Sequence, residues 1–172
     1  MTSLLSVSLR LVARTAHWQS RYSIVPAAKK TLYSKVMATP SVLPNYVYKI
    51  LPNTSVYQGT PIPVPADWPF PQTEVDAKDG FVHMSTAAQL EGTLNRFFGT
   101  DQTVQLLKID YARLSAFKIV KWEKASDGQL FPHLYATLDG EYVRDLNVVP
   151  KESGWGHAVK LLVEQGWIEL DE

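Results

Sequence analysis

The 172-residue sequence contains no cysteine, and this absence excludes several kinds of protein at once. A disulfide scaffold, a thiolate metal site and a cysteine nucleophile all require that side chain. The chain also lacks any run approaching the roughly 18 consecutive apolar residues of a membrane-spanning helix, so we expect no stable membrane insertion. With 45% hydrophobic residues, this length predicts one globular domain rather than two.

Acidic residues are missing from the start of the chain, since the first of them is Asp67. The net charge is zero, but residues 1–36 hold six of the 17 basic residues and no acidic one. A basic, Ser-containing segment with leucines on one helical face predicts a mitochondrial transit peptide and a matrix location. A disordered basic tail is the alternative. Translation from Met37 would instead give a cytoplasmic product.

Common catalytic and nucleotide-binding motifs are also absent. The sequence has no GxGxxG, GxxxxGK[ST], GxSxG or HExxH pattern. Beyond residue 36 the charge is negative, which disfavours nucleic-acid binding. Two histidines without cysteine make a poor zinc set unless Asp110 or Glu123 joins them, so we expect no metal site.

The pattern of apolar residues and turns predicts an α+β fold with a mixed or antiparallel sheet. Strands follow one another largely without helices between them, and only one central and one C-terminal helix are expected. Five prolines between residues 61 and 71 predict an extended loop. Pro132 places its strand at a sheet edge or a bulge, and Asp139-Gly140 predicts a tight hairpin. The predicted strands are 46–51, 81–85, 103–109, 117–122, 130–136 and 142–149; the predicted helices are 87–98 and 155–165.

Two short segments combine a histidine with a second polar residue two positions later. In a strand such residues share one face, as in His83-Met84-Ser85 and His133-Leu134-Tyr135. If the two strands are neighbours, these four side chains line one cleft that can orient a polar ligand and move protons near neutral pH. A hydrogen-bonded structural role for each histidine, and a helix-capping role for Ser85, are the alternatives.

Several blocks of the sequence resemble one family, which is catalogued as domain of unknown function 952. They include Gly80-Phe81-Val82-His83-Met84-Ser85-Thr86 and Leu130-Phe131-Pro132-His133-Leu134-Tyr135, and the resemblance spans residues 46–149. It leaves residues 37–45 as a linker and residues 150–172 as a C-terminal helical extension.

The resemblance implies an ADP-ribosyltransferase-like fold, in which a split antiparallel sheet cradles NAD. NAD is therefore a candidate cofactor, although no cofactor is certain. This sequence departs from that pattern at two places. Lys49 stands on the first strand where a histidine or arginine is typical, and the strand of His133 and Tyr135 has no glutamate.

The leading hypothesis is a small enzyme, a transferase or a hydrolase, that acts on a nucleotide, ribosyl or phosphorylated small molecule. His83 and His133 are its expected catalytic acid/base groups. The expected ligand-binding residues are Ser85, Tyr135, Glu123 and Lys49. One alternative is a non-catalytic module that binds a metabolite or a partner in a degenerate cleft. Another is a hydrolase with Ser85 as its nucleophile.

Overall fold

The computed structural model describes residues 39–171, so the predicted targeting segment 1–36 lies outside the described residues. Within 39–171 the chain forms two three-stranded antiparallel sheets and four α-helices, which confirms the α+β prediction. None of the helices in this part of the chain has the length and apolar character needed to cross a bilayer. The strands are β1 (Tyr46–Pro52), β2 (Val82–His83), β3 (Thr103–Asp110), β4 (Val120–Lys124), β5 (Leu130–Leu134) and β6 (Val143–Pro150); the helices are α1 (Glu74–Asp79), α2 (Leu90–Phe97), α3 (Tyr111–Phe117) and α4 (Trp155–Glu164).

The first sheet has the order β1-β3-β6 and is covered on both faces. Along β1, Val47 and Leu51 pack into a core cluster that also holds residues of the second sheet. Tyr48 and Ile50 point to the opposite face, where they join a second cluster built with α2 and α4. Because both faces are buried, β1 and β3 are apolar along most of their length instead of alternating.

The second sheet has the order β2-β5-β4, and its strands bury the residues of one face while those of the other face stay partly exposed. Pro132 lies in its central strand, so the predicted edge position is wrong. The carbonyl of Pro132 accepts a hydrogen bond from Met84 N at 3.1 Å, just past the end of the two-residue strand β2. Because proline has no backbone N–H, one hydrogen bond of the sheet is missing here, at the position where pairing with β2 ends.

The predicted hairpin at Asp139-Gly140 is also wrong, because β5 and β6 belong to different sheets. Gly140 begins a short 3-10 turn and lies against the proline-rich loop. A Cβ atom at Gly140 would lie 1.9 Å from the carbonyl oxygen of Pro65. Gly140 N also donates to the carbonyl of Trp68 at 2.8 Å. Glycine is needed here for a close approach between two loops, not for a tight turn.

Two of the four helices differ from the prediction. The structure adds α1 before β2 and α3 after β3, neither of which is among the two predicted helices. Thr73 and Asp76 form a reciprocal capping box at the start of α1. Gly80 ends the helix with a φ of 79°, a left-handed conformation that favours glycine.

The chain passes from the second sheet to the first directly after β2. His83 pairs with β5, whereas Ser85 exchanges two backbone hydrogen bonds with Tyr48 of β1, at 2.8 and 2.9 Å. The predicted strand 81–85 is therefore a two-residue strand followed by an isolated bridge. This crossing brings β1 and its Lys49 close to the histidines of the second sheet.

Candidate functional site

His83 and His133 lie directly opposite each other on the half-exposed face of the second sheet. Because Met84 and Pro132 form the neighbouring hydrogen-bonded position, the histidines occupy a non-hydrogen-bonded pair, in which side chains approach most closely. Their ring centroids are 5.1 Å apart, with an angle of 67° between the ring planes. The fold thus brings together the two side chains that the sequence singled out, although they are fifty positions apart.

Asp76, at the third position of α1, fixes the orientation of His83. Its Oδ1 atom accepts hydrogen bonds from both the backbone N and Nδ1 of His83, each at 2.9 Å. Its Oδ2 atom accepts from Lys49 Nζ at 2.5 Å and from Thr73 N at 3.2 Å. Burial alone would raise the pKa of Asp76, but the bonds from His83 and the charge of Lys49 hold that pKa well below its usual range.

Lys49 reaches the site only through Asp76. Its side chain is 6% exposed and forms a buried ion pair with that carboxylate. Burial lowers the pKa of Lys49, and the charge of Asp76 opposes the shift. In this arrangement Lys49 compensates the charge of Asp76, and its ammonium is not presented to solvent.

Glu123 of β4 orients His133 through a hydrogen bond to Nδ1, as Asp76 orients His83. Its Oε2 atom lies 2.7 Å from Nδ1 of His133, and the hydroxyl of Tyr135 donates to both carboxylate oxygens at 3.0 and 3.2 Å. Burial would raise the pKa of Glu123, but these hydrogen bonds lower it. Burial lowers the pKa of His133; the bond to Glu123 opposes this shift, and the nearby charge of His83 adds to it.

Phe81 completes the aromatic surface around the pair. Its ring stacks on His133, with centroids 4.3 Å apart and 18° between the planes, and lies 4.6 Å from the ring of His83. Phe81 also contacts Tyr135. Lys121 Nζ lies over the ring of Tyr135, 3.7 Å from its centroid. The side chain of His133 is 15% exposed and that of His83 is 36% exposed, so the site opens on the His83 side.

Ser85 lies away from this arrangement. Its side chain is buried, and its hydroxyl is 3.2 Å from the hydroxyl of Thr93 on α2. Within the described chain, no hydrogen bond connects Ser85 to His83 or His133. We therefore do not propose a hydrolase with this nucleophile.

Asp76, Asp79 and Phe81 contribute to the site but were not among the predicted residues. The pattern Thr73-x-x-Asp76 is a capping-box signature, which predicts a helix start and carries no information about a histidine seven positions later. Asp79 Oδ2 lies 3.4 Å from His83 Nε2. This contact depends on where α1 ends, and α1 was not predicted. Phe81 lies two positions before His83 in the strand pattern, and this spacing alone could have placed it on the same face.

A metal centre is not formed by the acidic and imidazole side chains at this site. Across residues 39–171, no three or more of the histidine, aspartate and glutamate side chains gather in a geometry that could hold an ion. Glu123, the proposed partner of a zinc set, is engaged by His133 and Tyr135 instead. The two histidines of the site each form an imidazole–carboxylate pair, with Asp76 and Glu123 respectively.

A family model described as "Protein of unknown function (DUF952)" matches residues 65–146, just under half of the chain. The match includes both histidine motifs, together with α1, Glu123 and Tyr135. It supports the resemblance to domain of unknown function 952 that these motifs carry. No curated protein matches the chain at a significant level.

Solved structures of protein CC0527 from Caulobacter crescentus share this fold. Its crystal structure is 25% identical to this chain, with a TM-score of 0.55, and the alignment covers 67% of this chain and 98% of that one. Its solution NMR structure is 26% identical, with a TM-score of 0.51 and coverage of 70% and 96%. The domain extends beyond the family match, because the aligned part of this chain is longer than residues 65–146.

Proposed function

We propose that this protein is a small enzyme that uses His83 and His133 to move protons on a nucleotide, ribosyl or phosphorylated small molecule. The observation that carries the proposal is the arrangement of the two rings. They lie 5.1 Å apart, and each has Nδ1 on its own carboxylate, Asp76 or Glu123. A single structural histidine would need neither the second ring nor the second carboxylate.

The carboxylates prepare each ring for proton transfer. A hydrogen bond from Nδ1 to a carboxylate fixes the tautomer and the orientation of an imidazole, and it leaves Nε2 as the atom that exchanges a proton with the ligand. Asp76 is well suited to this role, because all four of its hydrogen bonds are made and its pKa keeps it ionised. A positioned general acid or base typically contributes about 10²–10⁴-fold to a rate.

The proposed ligand class rests on the family resemblance and on the side chains around the rings. Two separate antiparallel sheets, with a strand that runs into α2 after His83, support an ADP-ribosyltransferase-like grouping. Lys49 does not suit the first-strand role known in that group, because it is buried against Asp76 and offers no free polar group to a dinucleotide. We therefore assign no step to NAD and treat it as one candidate ligand among several.

Isothermal titration calorimetry with NAD, ADP-ribose and nucleoside phosphates tests the proposal. We expect at least one of these compounds to bind the wild-type chain, and we expect His83→Ala and His133→Ala to abolish its conversion. His157→Ala is the matched control, because His157 lies exposed on α4, outside the site. Silence from every compound at millimolar concentration would contradict the proposal.

A second candidate is a binding module without turnover, and the position of Phe81 favours it. Phe81 covers one face of His133 and leaves that side chain largely buried. Such a surface can stack a planar ligand next to His83 without moving a proton. Conversion of the bound compound separates the two candidates. The enzyme converts it and loses that conversion in His83→Ala, whereas the module converts nothing and only binds more weakly in His83→Ala.

A further inference from the structure

The charges around His83 differ from those around His133. His83 has a carboxylate at each ring nitrogen, with Asp76 Oδ1 2.9 Å from Nδ1 and Asp79 Oδ2 3.4 Å from Nε2. One lysine, Lys49, compensates Asp76. One negative charge therefore remains, and a protonated His83 ring balances it. Only the imidazolium form carries a hydrogen on both nitrogens and can donate to both carboxylates.

His133 has the opposite surroundings. Among residues 39–171 the one carboxylate in hydrogen-bond contact with it is Glu123, at 2.7 Å from Nδ1, although the charge of Asp76 also favours its protonation. Lys121 lies opposite His133 in the register of β4 and β5, and its charge compensates Glu123. A neutral ring with its hydrogen on Nδ1 therefore leaves the local charge balanced. That form also leaves a lone pair on Nε2, and no hydrogen bond within residues 39–171 occupies that atom.

The short distance between the rings makes their protonation unequal. Two imidazolium ions with centroids 5.1 Å apart would repel each other, so the first proton taken up by the pair disfavours a second. The side chain of His133, with Phe81 against one face, is 15% exposed against 36% for His83, and this burial disfavours its charged form further. The repulsion disfavours a second proton on the pair, and the deeper burial of His133 directs the first proton to His83.

We infer that the two histidines have opposite proton roles: His83 is the proton donor and His133 is the proton acceptor. This inference rests on the proposed function and assigns the chemistry of the ligand. His83 Nε2 donates a hydrogen bond to an anionic oxygen of the ligand, and His133 Nε2 accepts a hydrogen bond from a neighbouring hydroxyl. A phosphorylated sugar has both groups.

Asp79 occupies the place of the anionic oxygen. Its contact with His83 Nε2, at 3.4 Å, is longer than the roughly 2.7–2.9 Å of a strong charge-assisted hydrogen bond. Its side chain is also exposed, so displacing it requires no rearrangement of the core. A phosphate oxygen can therefore replace this carboxylate at a shorter distance.

Nuclear magnetic resonance of the ¹⁵N-labelled full-length chain tests the assignment directly. Long-range ¹H–¹⁵N spectra distinguish the two neutral tautomers and the charged form of each ring, and they need no ligand. As the pH is lowered from 8.5 to 5, we expect His83 to become charged while His133 is still neutral with its hydrogen on Nδ1. Charging of His133 before His83, or together with it, would overturn the assignment.

The variant Asp79→Asn separates this inference from a merely structural contact. It should lower the charged fraction of His83 at pH 6 and leave the tautomer of His133 unchanged. Asp67→Asn, at an exposed position in the proline-rich loop, is the matched control and should change neither ring. If the charged fraction of His83 at pH 6 is the same in Asp79→Asn as in the wild type, the proposed role of the Asp79 carboxylate is contradicted. These spectra test the proton roles even if calorimetry finds no ligand. Failure of this inference can therefore be distinguished from failure of the proposed function.

Discussion

A single atom, Oδ1 of Asp76, accepts hydrogen bonds from both the backbone nitrogen and the ring nitrogen Nδ1 of His83. The backbone nitrogen lies on the outer edge of β2, where no strand from residues 39–171 pairs with it. One carboxylate thus completes the sheet edge and orients the candidate acid/base group. Because Lys49 binds the other oxygen, the same side chain joins β1, α1 and the site.

Removing one partner of the buried ion pair between Lys49 and Asp76 should strongly destabilise the folded chain. Asp76→Ala leaves the Lys49 ammonium buried without a partner, and we expect the free energy of unfolding to fall by about 3–5 kcal/mol. The double variant Lys49→Met/Asp76→Ala removes both charges and should recover part of this loss. Urea unfolding at pH 7 measures both values. A double variant no more stable than Asp76→Ala would contradict the interpretation of the pair.

Stability should fall in acid over two ranges of pH. The pKa of His133 is lowered in the folded chain, so below about pH 6.5 the unfolded chain binds that proton first and stability declines. The pKa of Asp76 is also lowered, so its stabilisation is complete above about pH 4 and is lost as the pH falls further.

Urea unfolding from pH 7 to pH 3 measures this dependence. His133→Asn should reduce the loss of stability between pH 7 and pH 5, whereas His157→Asn should leave it unchanged. If His133→Asn shows the wild-type slope in that range, the lowered pKa of His133 does not contribute to the acid sensitivity.

Gly140 and Gly92 provide opposite outcomes for the same substitution. In Gly140→Ala the new methyl group meets the backbone oxygen of Pro65, and we expect a loss of about 1–3 kcal/mol in the free energy of unfolding. Gly92 lies inside α2, and apart from its chain neighbours and the nearby helix backbone, no atom of the described residues would lie within 4 Å of an added methyl group. Gly92→Ala should therefore stabilise the chain by about 0.5–1 kcal/mol. Thermal unfolding compares them. Equal stability of the two variants would contradict the close loop contact.

The targeting prediction is independent of the fold. Residues 1–36 fused to a fluorescent protein should carry it into mitochondria, because the segment combines basic residues with an apolar helical face and has no acid. A fusion in which the arginines of this segment are replaced by glutamine should stay in the cytosol. Diffuse cytosolic fluorescence from the unaltered segment would contradict the prediction.

Much of the fold is predictable where periodicity or composition is strong. The strands around Tyr48 and Leu106 are apolar on both faces and lie within one residue of the predicted bounds. The hairpin prediction failed because Asp139-Gly140 is a local turn signal, whereas the role of Gly140 is set by a contact with Pro65 far along the chain. Local patterns do not encode such contacts.

The candidate site was predictable only in part, for the same reason. His83 and His133 followed from strand alternation and from the motifs that carry them. Asp76 did not, because α1 has six residues and no apolar stripe, and its importance depends on a pairing with Lys49 across 27 positions. The proximity of the histidines was a hypothesis in the sequence, and the antiparallel register of β2 and β5 establishes it.

The most direct test of the central claim is whether one ligand perturbs both rings at once. We would titrate the ¹⁵N-labelled chain with ADP-ribose, NAD and nucleoside phosphates and follow the ring signals of its histidines. The account predicts that the signals of His83 and His133 move together along one binding curve while those of His157 stay fixed. If none of these compounds moves either signal, or if the two rings respond along separate curves, His83 and His133 do not form one ligand site.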